Sequence, residues 1–351
     1  MKPVLTSVII IASTIWLNAC SDSSTHNISS NSHLEATTST NVLSSDLPSV
    51  KVTTLSADQQ FEQLMDEHWN WYTSQHPSFA TSLGIRDYDD KLNDPSLDAY
   101  EASIARQTTL LTQFQAFDLV ALSKANQLNH ALMVLNLSYQ IEAANFGDKY
   151  MLITNRSGPH MSLTRLPSQL PFFSKADYQS YVTRLGVMPA NLEKATNTLR
   201  SGLEAGWVQP CTPMVGYESS ISAHIVDPSD SIFMRPFTNK PAAMGQDDFN
   251  KLKATALATI EAQIIPAFKT FQTYYNSEYA LQCRTQVGSS SLPGGTDYYA
   301  YRTRMFTTTD MTPEQVHKTG LSEVARIKAE MEDVKQQAGF EGTFAQWLAF
   351  L

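Results

Sequence analysis

From about residue 55 onward, apolar side chains recur at the spacing of an α-helix along nearly the whole chain. This spacing places the apolar residues on one face of each helix, where they can pack into a common core. The segments Ser56–Gln59 and Thr312–Gln315 read as capping boxes, which mark helix starts. Only Tyr150–Thr154 and Ser220–Val226 read as candidate strands. The pattern therefore predicts a mostly α fold with few or no strands.

Two prolines set expected helix boundaries. Pro189 is expected in the first turn of a helix, where its missing N–H is not needed. Pro266 is expected to end or kink the long helix that begins near Asp247, because an internal proline removes a backbone hydrogen bond. The last segment, Ala345–Leu351, reads as the first part of a further amphipathic helix.

The first twenty residues resemble the export signal of a bacterial lipoprotein. Lys2 precedes the apolar run Leu5–Leu17, which is short for a membrane span, and the run leads into the tetrapeptide LNAC that ends at Cys20. We expect residues 1–19 to be the signal peptide and Cys20 to be the lipid anchor. An ordinary signal peptide with a chance cysteine is the alternative. Ser21, rather than Asp, after the cysteine favours the outer membrane, facing the periplasm.

Residues 20–54 are rich in Ser, Thr and Asn and nearly lack large apolar side chains. Such a segment cannot offset its ordering entropy by burial, so it is predicted to be a disordered tether. Residues 55–351 are then the helical domain. Two cysteines remain in it, Cys211 and Cys283. Outside the cytosol two such cysteines usually pair, although two buried free thiols are the alternative.

Charge and motifs exclude several functional classes. The net charge of −9 argues against a nucleic-acid partner, which would require a basic face. None of the eight histidines belongs to an H-E-x-x-H pair, so the sequence supplies no recognisable metal ligands. A G-x-S-x-G turn and a phosphate-binding G-x-x-x-x-G-K loop are also missing from the sequence.

Four side chains are candidate substrate contacts. His160 follows Gly and Pro in a predicted loop, Tyr298 and Tyr299 follow two glycines, and His317 lies on the helix that starts at Thr312. Loops often carry sites, and the tyrosine segment with its arginines could bind a peptide backbone or a carboxylate. The competing interpretations are a loop histidine bonded to the backbone, aromatic packing of the tyrosines, and a surface histidine.

Two segments resemble the bacterial domain-of-unknown-function family 885. They are HPSFATSLGIRDYDDKLNDPS (His76–Ser96) and LPGGTDYYAYRTRMFTTTDMTPEQVHKTGLSEVARIKAEM (Leu292–Met331), and the second is the more specific. The resemblance extends from about residue 58 to the end. It implies a helical array like that of gluzincin zinc peptidases, and members of the family are often lipoproteins.

The family's H-E-x-x-H-type element would lie beyond Leu351. The resemblance therefore implies that this chain is the N-terminal half of a lipid-anchored, metallopeptidase-like envelope protein, in which Ala345–Leu351 begins an interrupted helix. Zinc is implied for the full-length family but not for this chain, which is expected to be inactive alone. The alternative is a non-enzymatic helical lipoprotein that binds peptides or envelope partners.

Overall fold

The computed structural model describes residues 55–351, so the predicted signal peptide, Cys20 and nearly all of the tether lie outside the described residues. Residues 55–351 belong to one compact unit. The prediction of a mostly α fold is confirmed: the described part has twelve α-helices and only two isolated β-bridges. The helices are α1 (Ala57–Gln75), α2 (Pro77–Ser82), α3 (Leu97–Gln115), α4 (Lys124–Ala143), α5 (Pro159–Gln169), α6 (Lys175–Glu204), α7 (Tyr217–Ser222), α8 (Gln246–Thr259), α9 (Ile265–Tyr274), α10 (Gly295–Thr307), α11 (Pro313–Gln337) and α12 (Phe344–Phe350). Among residues 55–351, no helix combines the length and apolar character needed to cross a membrane.

Local capping chemistry determines where several helices begin. Ser56 caps α1 and Thr312 caps α11, each with a complete capping box, as the sequence predicts. Ser174 caps α6 and Thr343 caps α12 in the same way. In each box a hydroxyl and an N3 side chain satisfy backbone N–H groups that the first helical turn leaves free.

The main core surrounds α6, which packs against α8 and α9. Its inner face carries Tyr178, Tyr181 and Leu185, all nearly inaccessible to solvent. The Tyr178 and Tyr181 hydroxyls donate to backbone carbonyls, so the core buries these rings without leaving their polar ends unpaired. A second, smaller core lies between α1, α3 and α4.

Both strand predictions are wrong. Residues 148–150 form a 3₁₀ turn, and Thr154 pairs only with Ser157 in a tight turn. Ser220 lies in α7, whose Tyr217 and Ile221 are four positions apart and both buried. Burial of this pair on one helical face outweighs the β-branched composition that suggested a strand.

The two prolines behave differently from each other. Pro189 lies inside the 30-residue helix α6 rather than in a first turn, so that prediction is wrong. Burial of Leu185, Met188 and Leu192 on either side of Pro189 stabilises the continuous helix despite the lost hydrogen bond. Pro266 follows a π-helical turn at Ile260–Ile264, where the helix changes its hydrogen-bonding pattern without ending.

α11 carries an apolar stripe, a row of apolar side chains at helical spacing, but no residue of this helix is buried within the described part of the chain. Four members of the stripe are 44–65% exposed: Leu321, Val324, Ile327 and Val334. At the end of the chain, α12 buries only Trp347, which packs against Phe340 and Phe350. An apolar stripe of this kind is typical of a surface that contacts another protein part.

Candidate functional site

Three adjoining cavities form one groove across α3, α5 and α6. Their volumes are about 390, 260 and 280 Å³. The first and second share Asn93, Pro95 and Leu152, and the second and third share Tyr100 and Lys149. We call this surface the polar groove.

The middle of the polar groove is a loop that α6 holds in place. The side-chain amide of Asn191 donates to the Asn93 carbonyl over 2.7 Å. The Thr198 hydroxyl donates to the Pro95 carbonyl over 2.8 Å. Because side chains of α6 donate hydrogen bonds to the Asn93 and Pro95 carbonyls, the loop is already fixed in place before a ligand binds, and the groove is preformed.

Arg184 of α6, which is 1% exposed, also holds this loop in place. Its guanidinium donates to the Lys91 carbonyl at 2.9 Å, to the Tyr88 carbonyl at 3.1 Å and to the Thr81 hydroxyl at 2.7 Å. Burial lowers the pKa of Arg184, and the charges of Asp89 and Asp90 oppose this shift. The His76–Ser96 block is thus tied to α6 through one buried cation.

A second arginine joins this loop to the start of α6. Arg86 forms ion pairs with both Asp89 and Asp177. Burial alone would raise the pKa of Asp177, but hydrogen bonds from Arg86 and from the Ser174 and Phe173 backbones outweigh burial and lower the pKa. Asp177 is also the N3 residue of the α6 capping box. The same carboxylate therefore binds Arg86 of the loop and stabilises the first turn of α6.

The lining of the polar groove mixes side-chain amides and hydroxyls with apolar side chains. They are Asn93, Asn191, Gln169, Ser78, Ser157 and Ser162, together with Leu92, Leu152, Leu163 and Leu166. Arg165 lies at one end of the groove, and Asp148 and Lys149 lie at the other. Burial raises the pKa of Asp148, against the lowering effect of Arg302, whose guanidinium lies 3.9 Å away. Such a lining can exchange hydrogen bonds with a polar chain and also hold its apolar substituents.

His160 lies in the first turn of α5, not in a loop, and is fully buried. Its Nε2 lies 3.0 Å from the Ser220 hydroxyl, which itself donates to the Tyr217 carbonyl over 2.6 Å. The Ser220 hydroxyl must therefore accept from Nε2–H of His160, so the neutral imidazole carries its proton on Nε2. Nδ1 has no partner among the described residues. The side chain belongs to the core beneath the groove and does not line it.

Burial lowers the pKa of His160 to about 4, with a smaller contribution from His224. Between this value and 6.5, the unfolded chain binds a proton at this position and the folded chain does not. Proton binding by the unfolded chain therefore lowers the free energy of unfolding as the pH falls from 6.5 towards 4, and it has little effect above pH 6.5. We expect this group to cost about 2 kcal/mol of unfolding free energy between pH 7 and pH 5.

Urea unfolding at pH 7 and pH 5 measures this loss. In His160→Gln the loss should be smaller than in the wild type by about that amount, whereas the exposed His317→Gln should behave as the wild type. An equal loss in His160→Gln and in the wild type would contradict the assignment.

The other predicted contacts lie outside the polar groove. Tyr298 is half-buried against Trp207 and Phe146, and its hydroxyl accepts from Arg302 over 3.0 Å. Tyr299 is 52% exposed on α10, and His317 is exposed on α11. Neither these three residues nor His160 line any of the three cavities that form the groove. The segment after the glycines is helix α10, in which Tyr298 packs within an aromatic cluster, the competing interpretation of this residue. Substrate contact by the exposed Tyr299 stays a prediction.

Cys211 and Cys283 form a disulfide with a Cα–Cα distance of 5.0 Å. Beside it, the Cys211 N–H donates to the Arg284 carbonyl over 2.9 Å, and the Arg284 N–H donates to the Gln209 carbonyl over 3.1 Å. The bridge therefore links two chain segments that backbone hydrogen bonds also hold together.

Residues 55–351 do not offer a zinc site. The described part contains no group of three or more His, Cys, Asp or Glu side chains that could hold a metal ion. A structural or catalytic zinc site needs at least three such ligands. The zinc that the family resemblance implies therefore does not fit the described residues, and no reaction step can be assigned through it.

The fold and the groove together define a mostly α-helical protein with a preformed polar groove. Residues 77–351 match the family described as bacterial protein of unknown function (DUF885), and the chain belongs to this family. The fold is similar to that in the crystal structure of a Colwellia psychrerythraea protein described as a "putative lipoprotein". The TM-score is 0.74 at 17% identity, over 82% of this chain and 53% of that one. The present chain thus spans about half the length of that structure. No curated protein matches the sequence.

Proposed function

We propose that residues 55–351 bind peptides in the polar groove, as the helical domain of a lipid-anchored protein of the bacterial cell envelope. The observation that carries this proposal is the continuous groove itself, with a preformed loop at its centre. The groove supports binding of a polar chain, because its lining offers both hydrogen-bonding and apolar side chains.

The chemistry of the lining favours a peptide. A peptide presents an N–H and a C=O at each residue, and a side-chain amide can both donate to and accept from such groups. Leu92 and Leu152, which are half-buried in the same lining, can contact apolar side chains of the peptide. Arg165 makes no ion pair among the described residues, and its Nε–H donates to the Met161 carbonyl over 3.2 Å. Its two terminal nitrogens can therefore donate to a terminal carboxylate.

We further propose that zinc-dependent peptide hydrolysis requires residues outside 55–351. The longer Colwellia psychrerythraea chain and the exposed apolar stripe of α11 support a larger helical assembly. In that assembly, residues 55–351 contribute one wall of the peptide site, and the α11 stripe packs against the remaining part. A non-enzymatic peptide-binding lipoprotein is the second candidate, supported by the polar groove that residues 55–351 form among themselves.

Peptide binding is expected to depend on Arg165. Fluorescence anisotropy with a mixed pool of labelled heptapeptides should show tighter binding of free acids than of the C-terminal amides. Arg165→Gln should weaken binding of the acids about three- to tenfold and remove the difference, because an exposed charged hydrogen bond contributes modestly.

Arg156→Gln is the matched control, because Arg156 is exposed and does not line the groove. Equal binding of acids and amides by the wild type would refute the role of Arg165. Binding of neutral oligosaccharides in preference to the peptide pool would show that the groove takes a different polymer.

The lipid anchor is expected to depend on Cys20. In a Gram-negative host, the precursor should be cleaved before Cys20 and the mature protein should partition with membranes. Cys20→Ser should leave the precursor uncleaved or release the protein into the soluble fraction, because lipid attachment requires the thiol. Ser24→Ala, within the predicted tether, should fractionate as the wild type. A normally processed, membrane-bound Cys20→Ser protein would rule out lipidation at this position.

A further inference from the structure

A separate cavity of about 460 Å³ lies between α7 and a second π-helical turn, Tyr275–Tyr279. It shares no lining residue with the polar groove. Both half-cystines line it, together with Met214. π-Helical turns are rare and frequently lie at functional sites.

One wall of this cavity is aromatic and rich in sulfur. The Tyr275 and Tyr279 rings are nearly parallel, with centroids 5.9 Å apart and planes 23° apart. Tyr275, Tyr279 and Met214 are at most 6% exposed, so these side chains have little hydration to lose when a ligand binds. Tyrosine rings attract cations through their π electrons, and the Met214 side chain is apolar and adaptable enough to pack against an alkyl group.

Glu218 is the one ionisable carboxylate that lines this cavity. It is exposed and has no ion-pair partner among the described residues. Burial raises the pKa of Tyr275 to about 12, and the charge of Glu218 adds to this effect, so the carboxylate and the ring are electrostatically coupled. No Lys, Arg or His side chain lines the cavity to neutralise Glu218.

We propose that this cavity binds an alkylammonium group, such as a free aliphatic amine or a lysine side chain. The carboxylate of Glu218 pairs with the ammonium, the tyrosine rings attract the same charge, and the sulfur-rich wall contacts the alkyl stem. An anion would be repelled by Glu218, and a neutral alcohol could donate one hydrogen bond to Glu218 but would not form an ion pair with it. The proposal does not depend on peptide binding in the polar groove.

Ligand-observed NMR titration with hexylammonium, 1-hexanol and hexanoate tests this assignment on the full-length chain. Hexylammonium should bind at least tenfold more tightly than 1-hexanol, and hexanoate should not bind. Glu218→Gln should weaken hexylammonium binding at least fivefold and change 1-hexanol binding less than twofold, because the glutamine amide oxygen can still accept from the hydroxyl. Glu204→Gln removes another exposed carboxylate, outside the cavity, and should have no effect.

Tyr275→Leu should reduce the preference for hexylammonium over 1-hexanol, provided that its thermal unfolding remains cooperative. The Glu218→Gln result does not depend on this condition, because that side chain is exposed. Equal affinity for hexylammonium and 1-hexanol, absence of hexylammonium binding, or wild-type affinity in Glu218→Gln would each refute the proposal.

Discussion

Replacing Arg184 by alanine is expected to destabilise the helical domain by about 3–5 kcal/mol, the usual cost of removing one partner from a buried ionic network. The loss leaves the Tyr88 and Lys91 carbonyls without their donor and removes a cation beside the buried Asp89. Because these carbonyls belong to the loop next to Asn93, the change should also loosen the middle of the polar groove.

Urea unfolding at pH 7 measures the effect, and Arg156→Ala is the control for removal of an exposed arginine. Limited proteolysis should cut Arg184→Ala within residues 85–96 earlier than the wild type. Arg184→Lys should recover only part of the stability, because one ammonium group cannot reach all three acceptors of the guanidinium at once. A cost below 1 kcal/mol for Arg184→Ala would show that the anchor role is wrong.

Removing the disulfide with the double substitution Cys211→Ser and Cys283→Ser is expected to cost about 4 kcal/mol. The bridge spans 72 positions, so it restricts a long loop in the unfolded chain. Backbone hydrogen bonds beside the bridge should preserve the folded geometry, so the effect should come mainly from the unfolded state.

Chemical denaturation of periplasmically expressed protein, with and without reductant, provides the measurement. Reductant should lower the stability of the wild type to that of the double serine variant and leave the variant unchanged. Mass spectrometry of a non-reduced digest should show the linked peptides. Two alkylatable thiols in unfolded, unreduced wild type would contradict the pairing in exported protein.

The helix starts show how much local sequence predicts. Ser56 and Thr312 place side-chain oxygens within reach of the N–H groups three positions on, and this chemistry needs no tertiary partner. The apolar stripe of α11 is equally visible in the sequence, because helical spacing alone puts its members on one face.

The candidate site was much less predictable. The motifs drew attention to His160 and Tyr298, which the structure buries or packs among aromatic rings. Asn93 and Asn191 carry no motif and are 98 positions apart in the chain. The His76–Ser96 block was the only available signal, since it contains Asn93, but its residues alone do not reveal a groove.

The sequence alone determined the helical class, the capped starts and the two cysteines that could pair, because each depends on neighbouring residues or composition. Tertiary structure alone decided that Pro189 lies within α6, that Ser220 lies in a helix and that Arg184 anchors a distant loop. Burial and long-range hydrogen bonds have energies comparable to or larger than local propensities. They therefore decide the structure wherever segments far apart in sequence come into contact.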